Sequence, residues 1–154
     1  MIQANVVLNL GRIRFKRANH FAWKLHSDNS FEGSTVKVLV VDDSGVMRKV
    51  IVRALNAVGV KDCVEAANGV EAFKIFQANQ FDLILTDWNM PEKNGLELVT
   101  DIRATGATLP IIMVTTEAQK GQVVAAIQAG VSDYLTKPFD NDVLRAKLDK
   151  FVTV

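Results

Sequence analysis

The fold of this chain is decided by one stretch, Phe81-Asp82-Leu83-Ile84-Leu85-Thr86-Asp87-Trp88-Asn89-Met90-Pro91. Its apolar residues 83–85 form a short run of the kind found in strands that are buried on both faces. The run stops at the carboxylate of Asp87, and Pro91 prevents the strand from continuing. Open α/β sheets keep their reactive groups at the C-terminal ends of such strands. One acid taken alone is more often a solvated loop residue, so the interpretation depends on the rest of the chain.

Strand and helix signals alternate five times along residues 36–154. Predicted strands cover residues 36–41, 62–66, 81–86, 110–116 and 132–136. The helices run from Ser44 to Gly59, from Asn68-Gly69 onward, from Asn94 to near Gly106, and over residues 117–129 and 140–151. Short connections between such units require a parallel sheet with right-handed crossovers and helices on both faces. The predicted fold is therefore a doubly wound, five-stranded, flavodoxin-like α/β fold with five helices.

Apolar spacing indicates which sides of the helices face inward. In the first helix the residues at helical spacing are Val46, Val50, Ala54, Leu55 and Val58. In the fourth helix we expect Val123, Val124 and Ile127 to lie inside, and in the fifth we expect Val143, Leu144, Leu148 and Phe151 to be buried.

Residues 1–35 differ from the remainder of the chain. They carry five basic and two acidic residues, a net charge of +3, whereas residues 36–154 carry 13 basic and 15 acidic residues, a net charge of −2. Residues 13–25 could form a basic amphipathic helix, and residues 27–35 are typical of a polar linker. We predict an N-terminal extension that is poorly ordered or not native, for instance an untranslated leader before a start at Val36. A targeting or membrane-surface segment is the alternative.

Bulk composition excludes several classes of protein. A length of 154 residues allows one ordinary domain with an appendage. The single cysteine, Cys63, rules out a disulfide framework and fits a reducing compartment, so we expect a cytoplasmic protein. No apolar run approaches the length of a membrane span, and the mildly acidic body argues against nucleic-acid binding.

Polar side chains follow four of the predicted strands where those strands end. They are Asp42 and Asp43 after the first, Asp87 after the third, Thr115 after the fourth and Lys137 after the fifth. Because the C-terminal ends of parallel strands share one edge, we expect these side chains to meet in one crevice. Clustered carboxylates favour a hard dication such as Mg²⁺, and the lysine and threonine suit a phosphoryl group. An aspartate in such a set can be the nucleophile that forms an acyl phosphate.

Other phosphate and metal sites fit less well. No glycine pattern of a P-loop or a dinucleotide site follows the first strand, and His20 and His26 lie in the extension without a zinc-binding Cys/His set. A phosphatase of the haloacid dehalogenase type would also use Asp, Mg²⁺, Thr and Lys. That class needs a second acid two residues after its nucleophile, and here Ser44 stands two residues after Asp42.

Four segments resemble the signature motifs of the receiver domain of two-component response regulators. In chain order they are Val38-Leu39-Val40-Val41-Asp42-Asp43-Ser44, Thr86-Asp87-Trp88-Asn89-Met90-Pro91, Val114-Thr115-Thr116-Glu117 and Tyr134-Leu135-Thr136-Lys137-Pro138-Phe139. The resemblance covers residues 36–154, which we take as the receiver domain, and none of residues 1–35. Within the family, Asp-Trp-Asn-Met-Pro, the Thr-x-Glu and residues 126–130 are most similar to single-domain chemotaxis regulators of the CheY type.

The resemblance implies a site and its chemistry. Asp87 would be the phosphoacceptor of a histidine kinase. Mg²⁺ would be held by Asp43, by Asp87 and by the backbone carbonyl of Asn89, with Asp42 acting through water. Activity would be limited to Mg²⁺-dependent self-phosphorylation and autodephosphorylation, so the protein would not be an enzyme in the usual sense.

The resemblance also implies a switch and its partners. Lys137 would pair with the phosphate, Thr115 would be the switch hydroxyl, and Tyr134 would follow it inward. The output would be a protein contact through helix four, strand five and helix five, made by a monomer with a flagellar motor switch protein. A phosphatase is a further expected partner. The alternative is a phosphorelay intermediate or a receiver module of another two-component pathway.

Overall fold

The computed structural model describes residues 35–116 and 119–154. Five strands alternate with five helices over this range, as predicted. The strands are β1 (Lys37–Val41), β2 (Asp62–Ala66), β3 (Leu83–Asp87), β4 (Ile111–Thr115) and β5 (Asp133–Thr136). The helices are α1 (Gly45–Ala57), α2 (Gly69–Ala78), α3 (Gly95–Ala104), α4 (Lys120–Ala129) and α5 (Asn141–Leu148). The basic helix and most of the linker predicted for residues 1–35 lie outside the described residues.

The strands form one parallel sheet in the order β2-β1-β3-β4-β5. In register, Val41 of β1 pairs with Thr86 of β3, and Asp87 of β3 pairs with Val114 of β4. The C-terminal ends of β1, β3 and β4 are therefore aligned along one edge of the sheet. This alignment is what brings the polar residues that follow these strands close together.

Each face of the sheet has its own apolar core, because side chains alternate between the faces along a strand. One core joins strand residues such as Val40, Leu85 and Ile112 to Ile51 and Leu55 of α1 and to Leu144 and Leu148 of α5. The other joins Leu39, Ile84 and Met113 to Ala72 of α2, Leu98 and Ile102 of α3 and Ala126 of α4. Helices thus cover both faces, and the doubly wound fold class is confirmed.

Four of the five helices begin with a short polar side chain. Ser44, Asn68, Asn94 and Asp140 each accept a hydrogen bond from the backbone N–H three residues further on. These bonds satisfy N–H groups that the first turn of a helix leaves without a partner. Helix α4 differs, because Gln119 at its N-cap makes no side-chain capping bond.

The predicted inward faces of α4 and α5 are partly wrong. Val124 and Ile127 are exposed, and α4 begins at Lys120 and buries only Ala126, while the predicted start at residue 117 lies outside the described residues. Apolar residues surround α4, so their spacing does not indicate one face, and the packing selects a small side chain. On α5, Val143 is also exposed, while Phe151 lies beyond the helix end at Leu148 and keeps 36% of its surface accessible.

Helix α1 shows the same ambiguity between two apolar pairs. Ile51 and Leu55 are buried, whereas Val46 and Val50 are exposed, Val46 to 76%. Both pairs have the spacing i, i+4, so each forms a continuous row along the helix. Only the position of α1 over the sheet decides which row is covered.

An ion cluster ties β5 to α5. The carboxylate of Asp133 accepts hydrogen bonds from Lys147 Nζ at 2.8 Å, from Lys150 Nζ at 3.0 Å and from the Tyr134 backbone N–H at 2.7 Å. Burial by itself raises the pKa of this carboxyl, but the three donors outweigh burial and hold the pKa below its usual value. The charged form of Asp133 therefore stabilises the fold at neutral pH.

Candidate functional site

Three carboxylates meet at the edge of the sheet where β1 and β3 end side by side. One oxygen from each of Asp42, Asp43 and Asp87 lies within 4.8 Å of the other two. Asp42 is buried, Asp87 is partly buried and Asp43 is exposed at the rim. The parallel register of β1 and β3 therefore brings together the acids that the sequence placed at two strand ends.

Lys137 provides the positive charge nearest to two of these acids. Its Nζ lies 2.8 Å from Oδ2 of Asp42 and 3.6 Å from Oδ1 of Asp87. The side chain of Lys137 is 9% exposed and that of Asp42 is 1% exposed, so this ion pair is shielded from water. Charges interact more strongly in such surroundings than at the surface, which makes Lys137 well placed to neutralise an anion bound at Asp87.

Asp87 has a perturbed acidity. Burial raises the pKa of its carboxyl above the usual value, and the nearby carboxylates of Asp42 and Asp43 add to that effect. Lys137 and the Trp88 backbone N–H, which donates to Oδ1 of Asp87 at 2.8 Å, act in the opposite direction. A partly buried carboxylate among other acids is destabilised in its charged form. A bound cation would relieve that destabilisation.

A shallow cleft opens beside Asp43. It is lined by the start of the loop after β3: Asp43, Trp88, Asn89, Met90, Pro91 and Asn94. Asn89 and the exposed carboxylate of Asp43 therefore line the same cleft. Trp88 and Met90, whose orientation the sequence did not indicate, line the cleft and also pack against the second core.

The two predicted switch residues lie on β4 and β5. Thr115 is buried at the C-terminal end of β4, directly after the residue that pairs with Asp87, and its carbonyl accepts the Lys137 backbone N–H at 2.8 Å. Tyr134 lies three residues before Lys137, packed against the second core. The hydroxyl oxygen of Tyr134 is buried, and it has no hydrogen-bond partner within residues 35–116 and 119–154. Tyr134 therefore points inward, while Thr115 stands at the edge with the acids.

Close packing holds the loop between β3 and α3, a feature that was not predicted from the sequence. The Gly95 N–H donates to the Trp88 carbonyl at 2.9 Å, and a methyl group on Gly95 would overlap the carbonyl oxygen of Asp87. Gly69 at the start of α2 is equally constrained, because its Cβ would lie 2.5 Å from the Lys93 carbonyl oxygen. Within the same loop Glu92 has a φ of 67°, the left-handed region that non-glycine residues rarely adopt. At both positions the glycine directly follows an asparagine that caps the helix, and this Asn-Gly pattern could have indicated the close packing.

The donor set fits a hard dication. All the candidate ligands are oxygen atoms, two of the three carboxylates are accessible, and three carboxylates face the single ammonium of Lys137, which leaves an excess of negative charge at the site. Magnesium prefers one or two carboxylates together with waters and a phosphate oxygen. Asp43, Asp87 and the carbonyl of Asn89 are therefore the residues that would hold it.

Comparison with known protein families gives a match to the response regulator receiver domain over residues 38–149. The chain belongs to this family. Members of the family generally bind Mg²⁺ at an acidic pocket, and the cluster of Asp42, Asp43 and Asp87 is a pocket of that kind.

Individual relatives of this receiver are chemotaxis proteins. It is 48% identical to the chemotaxis protein CheY1 of Helicobacter pylori over 117 residues, which are 74% of this chain and 94% of that protein. It is 49% identical to the CheY homolog of Campylobacter jejuni over 117 residues, 74% of this chain and 90% of that protein. Among solved structures, CheY4 of Vibrio cholerae superposes with a TM-score of 0.73 at 33% identity, covering 77% of this chain and all of that one.

These relatives establish a receiver that is closely related to the CheY chemotaxis regulators, which are signalling proteins and not enzymes in the usual sense. The comparisons thereby support the prediction from the sequence that the chain is a receiver of the two-component, phosphorelay and chemotaxis signalling class. In the part of the chain that the structure describes, none of the helices has the length and apolar character that crossing a membrane requires.

Proposed function

We propose that this receiver is a chemotaxis response regulator that a histidine kinase phosphorylates on Asp87. The observation that carries the proposal is the arrangement around Asp87: two further carboxylates lie within 4.8 Å, and the Lys137 ammonium lies 3.6 Å from its Oδ1. The carboxylate of Asp87 attacks the phosphorus of a phosphohistidine, an acyl phosphate forms, and the histidine leaves with the electron pair of the broken P–N bond.

Each neighbour has a separate role in this proposal. Lys137 pairs with the transferred phosphoryl group, and Thr115 donates a hydrogen bond to it. Asp43, Asp87 and the Asn89 carbonyl would hold Mg²⁺, with Asp42 acting through water, and the cation would supply charge neutralisation for the phosphoryl oxygens.

A protein contact carries the signal onward. Val124 and Ile127 on α4 are exposed, and β5, which bears Tyr134, is the next element along the chain. We assign the α4–β5–α5 surface to a flagellar motor switch protein, the partner class implied by kinship with CheY proteins. A phosphatase that restores the unphosphorylated state completes the set of partners, and the regulator acts as a monomer in the cytoplasm.

The phosphoacceptor is tested with acetyl phosphate as the donor. Intact-protein mass spectrometry in the presence of Mg²⁺ should show one phosphoryl adduct on the wild-type chain and none on Asp87→Asn. Removal of Mg²⁺ with EDTA should abolish the adduct as well. Asp142→Asn is the matched control, because Asp142 is an exposed aspartate in the first turn of α5. Undiminished labelling of Asp87→Asn would refute the assignment.

The output is tested by binding to an immobilised switch-protein segment and to an immobilised phosphotransfer domain. Chemotaxis predicts that the phosphorylated chain is retained by the former, and that Ile127→Ser weakens retention without changing the rate of labelling. Val46→Ser, at an exposed apolar position on α1, should retain binding. Transfer of the phosphoryl group to the phosphotransfer domain, without retention on the switch segment, would instead identify a phosphorelay intermediate.

Residues 36–154 form the receiver in this proposal, and residues 1–35 are an extension that takes no part in phosphorylation. The family match from residue 38 supports this division. A chain that starts at residue 36 should acquire the phosphoryl group at the rate of the full chain. A slower rate would assign a function to the extension.

A further inference from the structure

We propose that Arg48 is a positioning residue that orients the Asp42-Asp43 acids for cation binding. This inference rests on the proposed function, because it concerns the same site. Arg48 lies in α1, outside the ring of residues expected to touch the phosphoryl group or the metal. It acts through the backbone of Asp42 instead of through a direct contact with a ligand.

The contacts of Arg48 join three elements. Its Nη1 donates to the backbone carbonyl of Asp42 at 2.7 Å, and its Nε lies 3.2 Å from Oε1 of Glu65 on β2. Its own backbone N–H donates to the Ser44 carbonyl at 2.9 Å in the first turn of α1. Arg48 therefore links three elements: its guanidinium contacts the end of β1 and the edge strand β2, and its backbone lies in the first turn of α1.

The bond to the Asp42 carbonyl has a geometric consequence for Asp43. That carbonyl belongs to the peptide unit between the two acids, so fixing its direction also fixes the plane from which the Asp43 side chain emerges. On the other side of the turn, Oδ1 of Asp42 accepts the Ser44 N–H at 2.8 Å, and Lys137 holds Oδ2. Arg48 thus holds the carbonyl of Asp42 and completes the support of the turn.

The positioning role and a purely electrostatic role predict opposite effects on cation affinity. A positive charge beside three carboxylates repels Mg²⁺, so removing the charge alone would tighten Mg²⁺ binding. Loss of the carbonyl contact would leave Asp43 less well oriented and would weaken binding. Outer contacts that orient metal ligands typically contribute about 10-fold or more to metal affinity. The sign of the change therefore separates the two roles.

The test measures Mg²⁺ affinity by the fluorescence of Trp88, which lines the cleft beside Asp43. The chain has two tryptophans, so all proteins carry Trp23→Phe to leave Trp88 as the single emitter. The variants are Arg48→Met, Arg48→Lys and, as the matched control, Lys49→Met, which removes a positive charge from the exposed neighbouring position. Backbone amide NMR shifts of Asp43 and Ser44 in the metal-free proteins give a second readout that does not depend on Mg²⁺ or phosphorylation.

We expect Arg48→Met to weaken Mg²⁺ binding about 10-fold and to shift the Asp43 and Ser44 amides. Lys49→Met should leave both unchanged or tighten binding slightly, and Arg48→Lys should recover part of the affinity because its ammonium can still reach a carbonyl. Mg²⁺ binding by Arg48→Met that is as tight as in the parent, or tighter, would overturn the proposal. If Arg48→Met does not fold, the comparison of Arg48→Lys with Lys49→Met decides, since equal affinities would overturn it.

The outcome is distinguishable from failure of the proposed function. A parent protein that neither binds Mg²⁺ nor accepts a phosphoryl group would refute the function itself. A parent that does both, with an unaffected Arg48→Met, would refute only the role of Arg48.

Discussion

Replacing Lys137 by methionine should strongly destabilise the metal-free protein. Coulomb's law with an effective dielectric constant of about 20 gives roughly 6 kcal/mol for charges at the 2.8 Å Lys137–Asp42 separation and roughly 5 kcal/mol at the 3.6 Å Lys137–Asp87 separation. Desolvation of the charges offsets much of that attraction. Measured losses on breaking one side of a buried pair are about 3–5 kcal/mol, and we expect Lys137→Met to fall in that range.

The assay is thermal unfolding followed by circular dichroism in EDTA at low salt. At about 4 °C per kcal/mol, the expected fall in Tm is roughly 12–20 °C. Because three carboxylates remain without their ammonium, added Mg²⁺ should restore part of the loss. Adding Asp87→Asn should also restore part of it, since that substitution removes a charge whose burial already disfavours it.

The control for Lys137→Met is Lys74→Met, which removes the charge of an exposed lysine on α2. Surface substitutions of this kind usually change stability by less than about 0.5 kcal/mol. If both variants unfold in EDTA within about 2 °C of each other, which corresponds to that limit, the ion pairs at the site contribute little and the reasoning is wrong.

Three further substitutions test other parts of the structure. Gly95→Ala should cost about 1–3 kcal/mol in urea unfolding and slow labelling of Asp87, because its methyl group overlaps a backbone oxygen, whereas Gly121→Ala in open space should not destabilise. Glu92→Asn should raise Tm by a few degrees, corresponding to about 1 kcal/mol, because asparagine tolerates a positive φ; an equal gain from Glu92→Ala would contradict this reason. Asp133→Asn should lower Tm at pH 7. Because the pKa of Asp133 is lowered in the folded protein, the stability advantage of the wild type should be lost as pH falls below about 4. A Tm difference between the two proteins that is as large near pH 3 as at pH 7 would contradict a stabilising role for the Asp133 carboxylate.

The order of elements and the convergence of the acids were predictable from the sequence for a physical reason. Buried parallel strands favour apolar runs, and four of the five predicted strands are followed by a polar residue that the sheet cannot bury without a partner. Once the strands are known to be parallel, Asp43, Asp87 and Lys137 must lie along one edge. The resemblance of the motifs then added the family, which the family match confirms.

What the sequence could not indicate depends on packing between distant elements. Val124 and Ile127 are as apolar as buried residues, and they are exposed only because α4 packs against the rest of the protein through Ala126. The role of Gly95 requires knowing that α3 starts directly against the end of β3. Arg48 contacts Asp42 because α1 turns back over β1, a consequence of tertiary geometry that residue spacing does not reveal.

The distance in sequence between Lys137 and Asp42, 95 residues, has a consequence for how the chain folds. β1, β2 and β3 are complete within the first 87 residues and can leave the ribosome with their acids in place, but the ammonium that balances them is synthesised only after β5. Docking of β5 is therefore the step that removes the charge imbalance, and closing so long a loop is slow relative to local helix formation. We expect nascent chains that end before Lys137 to be the species most dependent on Mg²⁺ or on chaperones.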